Sequence, residues 1–275
     1  MRAVLLLVAL LVPGLAQAQQ AGDQFQLSRI SDAEWRDTRG SSGSSHDGDA
    51  LIEKVIAVTP AGVELEYSAP PGEQSNDWML PVRVLRPPSG PLQLRNRAEL
   101  ESRIDKWLKD GQLQRSACGK WIFTWNAFRI ECDPEAALRG IEGFSIGPAR
   151  TGAPFSDPNA QRAVPLVARP DGKGFTAVLV IDPEAVRKSL AEADQVVAEI
   201  NGKPIALKAA REAHAADQIS GTIKVTIDTD ATGQARRQTR VTTLTTTRDG
   251  RTETRTTTEV LERRPIQQRV DPNSI

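Results

Sequence analysis

A threonine-rich run folded about a two-residue turn limits the folds open to this chain more than any other feature. Asp249-Gly250 is a strong hairpin signal. Val241, Thr243, Thr245 and Thr247 precede it, and Thr252, Thr254, Thr256, Thr258 and Val260 follow it at every second position. Pairing about the turn sets Arg240 opposite Glu259 and Leu244 opposite Arg255, and places all nine residues on one face. Period-two spacing of β-branched residues belongs to strands. Upstream, Ile223, Val225 and Ile227 alternate with Lys224, Thr226 and Asp228 ahead of a turn at Asp230 to Gln234. The C-terminal part therefore reads as a β-rich meander.

The rest of the chain adds helices and a second β region. Ile56, Val58, Val63, Leu65 and Tyr67 share one face of a hairpin, with Glu53, Glu64 and Glu66 on the other, about a Thr59-Pro60-Ala61-Gly62 turn. A strand is expected over 79–85. A helix is expected over 96–109, with Asn96 as its cap, Glu99 three residues on, and an apolar stripe of Leu100, Ile104, Trp107 and Leu108. Asp133-Pro134-Glu135 and Asp182-Pro183-Glu184 both open helices in cap–proline–glutamate style. Phe175 to Ile181 reads as a buried strand, Val196 to Ile200 as another ended by Asn201-Gly202, and 204–216 as a further helix. The fold class expected is α+β: a curved antiparallel β-sheet partly wrapped around helices.

Met1 to Ala18 has the form of a signal peptide, with Arg2, an apolar run from Ala3 to Val12, and Ala16-Gln17-Ala18 as a small-x-small cleavage site. The expected organisation is then a polar N-terminal segment over 19–50, one α+β domain over 51–264 with a possible division near 147–173, and a loose tail over 265–275. In an exported chain Cys118 and Cys132 are expected to pair. The runs Trp-Ile-Phe-Thr and Phe-Arg-Ile-Glu between them are symmetric about Trp125, so a hairpin turning there sets the two cysteines opposite each other. The balance of 35 basic and 35 acidic residues gives no electrostatic footprint for nucleic acid.

Catalytic signatures are scarce. His46 and His214 are the only histidines, which excludes a multi-imidazole metal site. His46 neighbours serines and aspartates on an expected loop, and a triad needs geometry rather than adjacency. His214 is expected at the surface or the core edge. Asp228-Thr-Asp230-Ala-Thr232-Gly233 matches half of a calcium loop, but position 12 is Thr239, so the ligand set is incomplete. No catalytic residue, metal or cofactor is assigned. The candidate contact residues are Trp125 at the hairpin tip, Trp121 beside it, and Thr243, Thr245, Thr254 and Thr256 on the threonine face. That face reads either as a plain solvated sheet surface or as the wall of a semi-polar cleft. It resembles the grids of ice-binding proteins, which use many stacked strands.

The block Cys118-Gly-Lys-Trp-Ile-Phe-Thr-Trp-Asn-Ala-Phe-Arg-Ile-Glu-Cys132-Asp-Pro134, with Asn96-Arg-Ala-Glu-Leu100 upstream, resembles uncharacterised exported, periplasmic proteins of Gram-negative bacteria, over about residues 50–200. The resemblance implies export and carries no assigned activity. The expected function is that of a soluble periplasmic, non-enzymatic protein that binds an envelope protein or an amphipathic ligand in a sheet–helix cleft. Two alternatives stand beside it: a cell-envelope hydrolase using paired carboxylates, and an envelope assembly or structural factor acting through sheet edges. No nucleic-acid partner and no membrane span are expected.

Overall fold

The structure is a computed structural model that describes residues 19–73, 78–123, 127–147 and 149–266. The expected signal peptide, Trp125 and residues 267–275 of the tail lie outside the described residues. The first five strands are β1 (Gln24–Asp37), β2 (Ser42–Thr59), β3 (Gly62–Ser68), β4 (Val82–Arg86) and β5 (Gln93–Leu94). Helix α1 (Arg97–Asp110), the small hairpin β6 (Trp121–Phe123) and β7 (Ala127–Arg129), and α2 (Glu135–Glu142) follow. Short strands β8 (Pro154–Phe155), β9 (Val164–Pro165) and β10 (Val167–Ala168) lead to β11 (Gly174–Val180). Then come α3 (Pro183–Ile200), α4 (Leu207–Ala213), β12 (Gln218–Thr229), β13 (Ala235–Arg248) and β14 (Arg251–Pro265).

Ten of the strands form one open antiparallel sheet in the order β10-β11-β12-β13-β14-β1-β2-β3-β4-β5. The sheet-rich α+β class and the C-terminal meander β12-β13-β14 are as the sequence implies. The threonine hairpin has the expected register, with Arg240 opposite Glu259 and Leu244 opposite Arg255. Asp249 and Gly250 both take positive φ, 48° and 74°, which a two-residue turn matching the strand twist requires.

The helices occupy one face of this sheet, over two buried clusters. One is built by Leu27, Val55, Leu65, Tyr67 and Val84 against Leu100 and Ile104 of α1 and Leu138 and Ile141 of α2. The other is built by Leu179, Ile223, Val225 and Ile227 against Val186 of α3. The disulfide Cys118–Cys132 is formed, with Cα atoms 5.6 Å apart, and both cysteines pack against the first cluster. Trp78 is buried there too, its indole N–H donating to the Glu131 carbonyl (3.1 Å).

Several expectations are corrected. The polar 19–50 segment, which reads as a loop or a flexible strand edge, contributes the long strands β1 and β2, and β1 lies inside the sheet between β14 and β2. Its glycines and serines are poor strand formers, but pairing on both sides satisfies its backbone, and Phe25, Leu27 and Ala33 reach the core face. The strand expected over 79–85 is β4, over 82–86.

The expected strand at Val196–Ile200 is the last part of α3. No helix breaker follows Pro183, which sits at the first helical position, before Asn201, and Gly202 at φ +67° ends the helix. Asp182 caps α3 as expected, its carboxylate accepting from the Glu184 N–H (3.0 Å). Asn96 does not cap α1 with its side chain. Its Oδ1 accepts from the Arg83 backbone N–H (3.0 Å), tying β4 to the start of the helix. Phe175–Ile181 is buried on one face only: Val178 and Val180 are 59% and 56% exposed, because no helix covers that side.

Candidate functional site

The sequence misplaces one residue that proves central. Glu53 opposes Tyr67 in the β2–β3 register and shares the core face with Leu65 and Val55. A bulge between Val55 and Ala57 breaks the simple alternation, leaving Ile56 and Val58 exposed and turning Glu53 inward, where it is 1% exposed. Leu51, Glu53 and Val55 have the period of an inward row, and that was the available signal. The assumption of one unbroken register hid it.

Three strands, β3, β4 and β14, supply the partners of Glu53. The Tyr67 hydroxyl donates to Oε2 (2.9 Å), and so does Arg86 Nη2 (3.1 Å). Arg263 donates to Oε1 through Nε (3.1 Å) and Nη2 (2.6 Å). Arg86 Nη2 also reaches the Tyr67 oxygen (3.0 Å). Arg263 stacks over the Phe25 ring, 3.2 Å from its centroid, with Arg236 near the same ring at 5.9 Å. Arg236 is held by Asp230 (2.6 Å), while its Nη1 is buried without a hydrogen-bond partner among the described residues.

The electrostatics follow from this count of charges. Burial pushes the Glu53 carboxyl up, but Arg263 and Arg86 outweigh it and hold its pKa below the ordinary value. Burial, reinforced by the charge of Glu53, pushes the Tyr67 phenol well above its ordinary range. Burial lowers Arg263, and the positive charges of Arg236 and Arg86 add to that against the pull of Glu53. The carboxylate is therefore ionised and the phenol protonated at neutral pH, so neither is poised for proton transfer there. The group offers charge and hydrogen-bond donors.

This quartet floors a cleft of about 720 Å³. Leu92 from the loop before β5, Ile141, Phe144 and Ile146 from α2 and its extension, and Leu27 of β1 supply the apolar walls. A second hollow of about 680 Å³ shares Ile141 and Phe144 with the first and carries Arg29, Met79 and Leu80. Arg29 lies over the Phe144 ring at 5.3 Å. Phe144 thus stands between two adjoining hollows.

A second ionic group lies at the other end of the helical face. His214 is buried rather than at the core edge, 3% exposed. Its Nδ1 is 2.9 Å from Asp217 and its Nε2 is 2.9 Å from Asp194. Arg248 grips Asp217 through Nε and Nη2, both at 2.8 Å. The group joins α3, the end of α4, the start of β12 and the end of β13, beside a hollow of about 470 Å³.

Of the residues singled out from sequence, the four threonines neighbour one another but belong to a different sheet from Trp121. Thr243 opposes Thr256 and Thr245 opposes Thr254, with the Thr245 and Thr254 hydroxyl oxygens 3.5 Å apart. All four point away from the helices, on the face opposite both clefts. Trp121 is half-buried on β6, beside α3, where its backbone N–H donates to Glu199 Oε1 (3.3 Å). His46 lies on β2 rather than a loop and pairs with Asp32 (2.6 Å). Asp230 and Asp228 serve the turn and neighbouring arginines, Asp230 tying the Thr232 and Gln234 N–H groups and Asp228 pairing with Arg169. Among the described residues no group of three or more His, Cys, Asp or Glu side chains is arranged to hold a metal ion, and no helix is long and apolar enough to cross a membrane.

No protein-family model and no curated protein matches the chain. Among solved structures, lipovitellin, in a structure describing lipid–protein interactions, overlaps 90% of this chain at 8% identity with a TM-score of 0.33. The chain spans 26% of that protein's length, and a likeness at this level carries no argument about fold or ligand.

Proposed function

We propose that this chain is an exported, periplasmic, non-enzymatic binding protein whose Glu53 cleft takes an amphipathic ligand with an anionic head group. One observation carries the reading: two guanidinium groups, Arg86 and Arg263, converge on a single buried carboxylate at the floor of an apolar-walled cleft. A third, Arg236, stands beside them with an unpartnered nitrogen. Buried positive charge in excess of its counter-charge favours an incoming anion, and arginine presents donors that match a carboxylate or phosphate in pairs. The walls supply the apolar surface that a small-ligand site needs. In this reading β1–β4 and α2 form two sides of one cleft. Export rests on the form of Met1–Ala18 and on the disulfide.

Calorimetric titration with dodecyl phosphate, dodecanoate and the uncharged dodecyl maltoside tests the proposal. The anionic probes are expected to bind, and Arg86→Ala is expected to weaken them at least about ten-fold, the scale of a lost charge-assisted hydrogen bond. Equal binding of the uncharged probe, or no binding of either anion, would overturn it.

A further inference from the structure

The face of the sheet opposite the helices is packed by no helix and no buried cluster among the described residues. On β12, β13 and β14 it is mostly β-branched. The pairing registers place His46, Asp32, Thr258, Val241, Lys224 and Val178 in one row across β2, β1, β14, β13, β12 and β11. Threonines and valines fill most of the neighbouring rows. Ile30 is 40% exposed on this face, beside the more exposed Val178 and Val180. Charged sheet faces hold themselves apart from other proteins, whereas a field of methyl groups is the surface one sheet offers to another.

We propose that this face is a homodimer interface, occupied by a second copy of the chain packed sheet on sheet. Charge supports this occupant. Lys224 is exposed in the middle of the field and has no ion-pair partner among the described residues. Consider a two-fold axis that lies in the interface, parallel to the strands, between β13 and β14. It keeps every row at its own height and lays β12 of one copy over β1 of the other. Because Asp32 and Lys224 share a row, each Lys224 then faces the Asp32 of the second copy, twice per dimer. Asp32 is engaged by His46 through one oxygen only and is 56% exposed. The same operation sets Glu262 over Arg237, which also share a row, and brings no like charges together in these rows. A packing angle of about 30° between aligned sheets shifts the facing rows by only a few ångströms at these strands, within reach of a lysine side chain.

The area also suffices. Side chains on one face repeat about every 4.8 Å across strands and about every 6.8 Å along them, so a field of about six strands by five residues covers about 1,000 Å² per copy. A standard stable interface needs about 800 Å² per partner. The inference does not depend on the cleft, which lies on the other face.

Sedimentation velocity and light scattering from about 1 to 100 µM, a range that spans ordinary dimer affinities, give the test. The wild-type chain is expected to be a dimer. Lys224→Glu is expected to weaken association at least about ten-fold, and Asp32→Lys combined with Lys224→Asp to restore it to within about three-fold. Thr243→Arg, beside the proposed axis and facing Thr256 of the second copy, is expected to give a monomer. Circular dichroism of each variant reports that the fold is intact. A monomeric wild type across the range, a dimer indifferent to Thr243→Arg, or a charge swap no tighter than Lys224→Glu alone would each overturn the proposal.

Discussion

The two buried ionic groups are made of similar parts and differ in what they leave over. Around Glu53, two arginines share one carboxylate, a third stands close, and the whole sits under an apolar-walled cleft. Around His214, two carboxylates face the two ring nitrogens, and the one arginine is matched in both its bonds to Asp217. The second group closes on itself and ties helix ends to strand ends. The first has positive charge and donors to spare. Buried charge alone is therefore a poor guide to a binding site, since ion pairs also serve as structural ties. The ratio of donors to acceptors, and what the remainder faces, separates the two.

Five variants put this contrast to the test. The largest effect is expected from Glu53→Ala, which leaves the largely buried Arg263 and the partly exposed Arg86 without a counter-charge. A loss of about 3–5 kcal/mol in urea unfolding is expected, as for other buried pairs that lose one partner. Equal losses here and at Asp217 would erase the distinction. The pH dependence has a definite sign. The Glu53 pKa is lowered in the folded state, so its contribution is complete above the unfolded carboxylate range, near 4.3, and is lost as pH falls through the lower folded value. Glu53→Gln should flatten that acid limb of the stability curve.

Next comes the double substitution Cys118→Ser, Cys132→Ser. It opens a loop with a sequence separation of 14 and is expected to cost about 3 kcal/mol. Because the bridge packs against the cluster that backs the Glu53 cleft, binding of anionic amphiphiles should fall with it, as read by calorimetry. Asp217→Asn is expected to cost about 1–3 kcal/mol through weakened buried hydrogen bonds, with amphiphile affinity unchanged. A loss of affinity would show that the two groups are coupled. The smallest effect, about 1 kcal/mol, is expected for Asp182→Ala, which removes the cap of α3. It should leave both ionic groups titrating as before in an acid-unfolding series.

How much was legible in the residues depended on how far each signal had to reach. The disulfide, the β13–β14 register and the Asp182 cap were readable because turn chemistry or a single capping bond decides each of them within a few positions. Asn96 was misread because its best acceptor role lies on β4, well upstream in the chain. The Val196–Ile200 segment has strand-like residues, yet it continues α3 because helix, once started, adds one bond per residue and packs against α4 and β12. Of the candidate site, the sequence marked the threonine face and the Trp hairpin but not the Glu53 quartet, whose members come from positions 53, 67, 86 and 263.

The residues alone carry the local grammar: where hairpins turn, which helices start where, that the two cysteines meet, and that a long threonine-faced ribbon exists. Tertiary structure alone decided that β14 pairs with β1, which makes long strands of a polar N-terminal stretch. It also decided that the β2 bulge turns Glu53 inward and that the helices gather on one face while the threonines remain open on the other. The physical reason is the same in each case. Turns, caps and alternation are settled by neighbours along the chain, whereas a strand's second partner and a buried carboxylate's counter-charges come from residues up to about two hundred positions away, which no local pattern records.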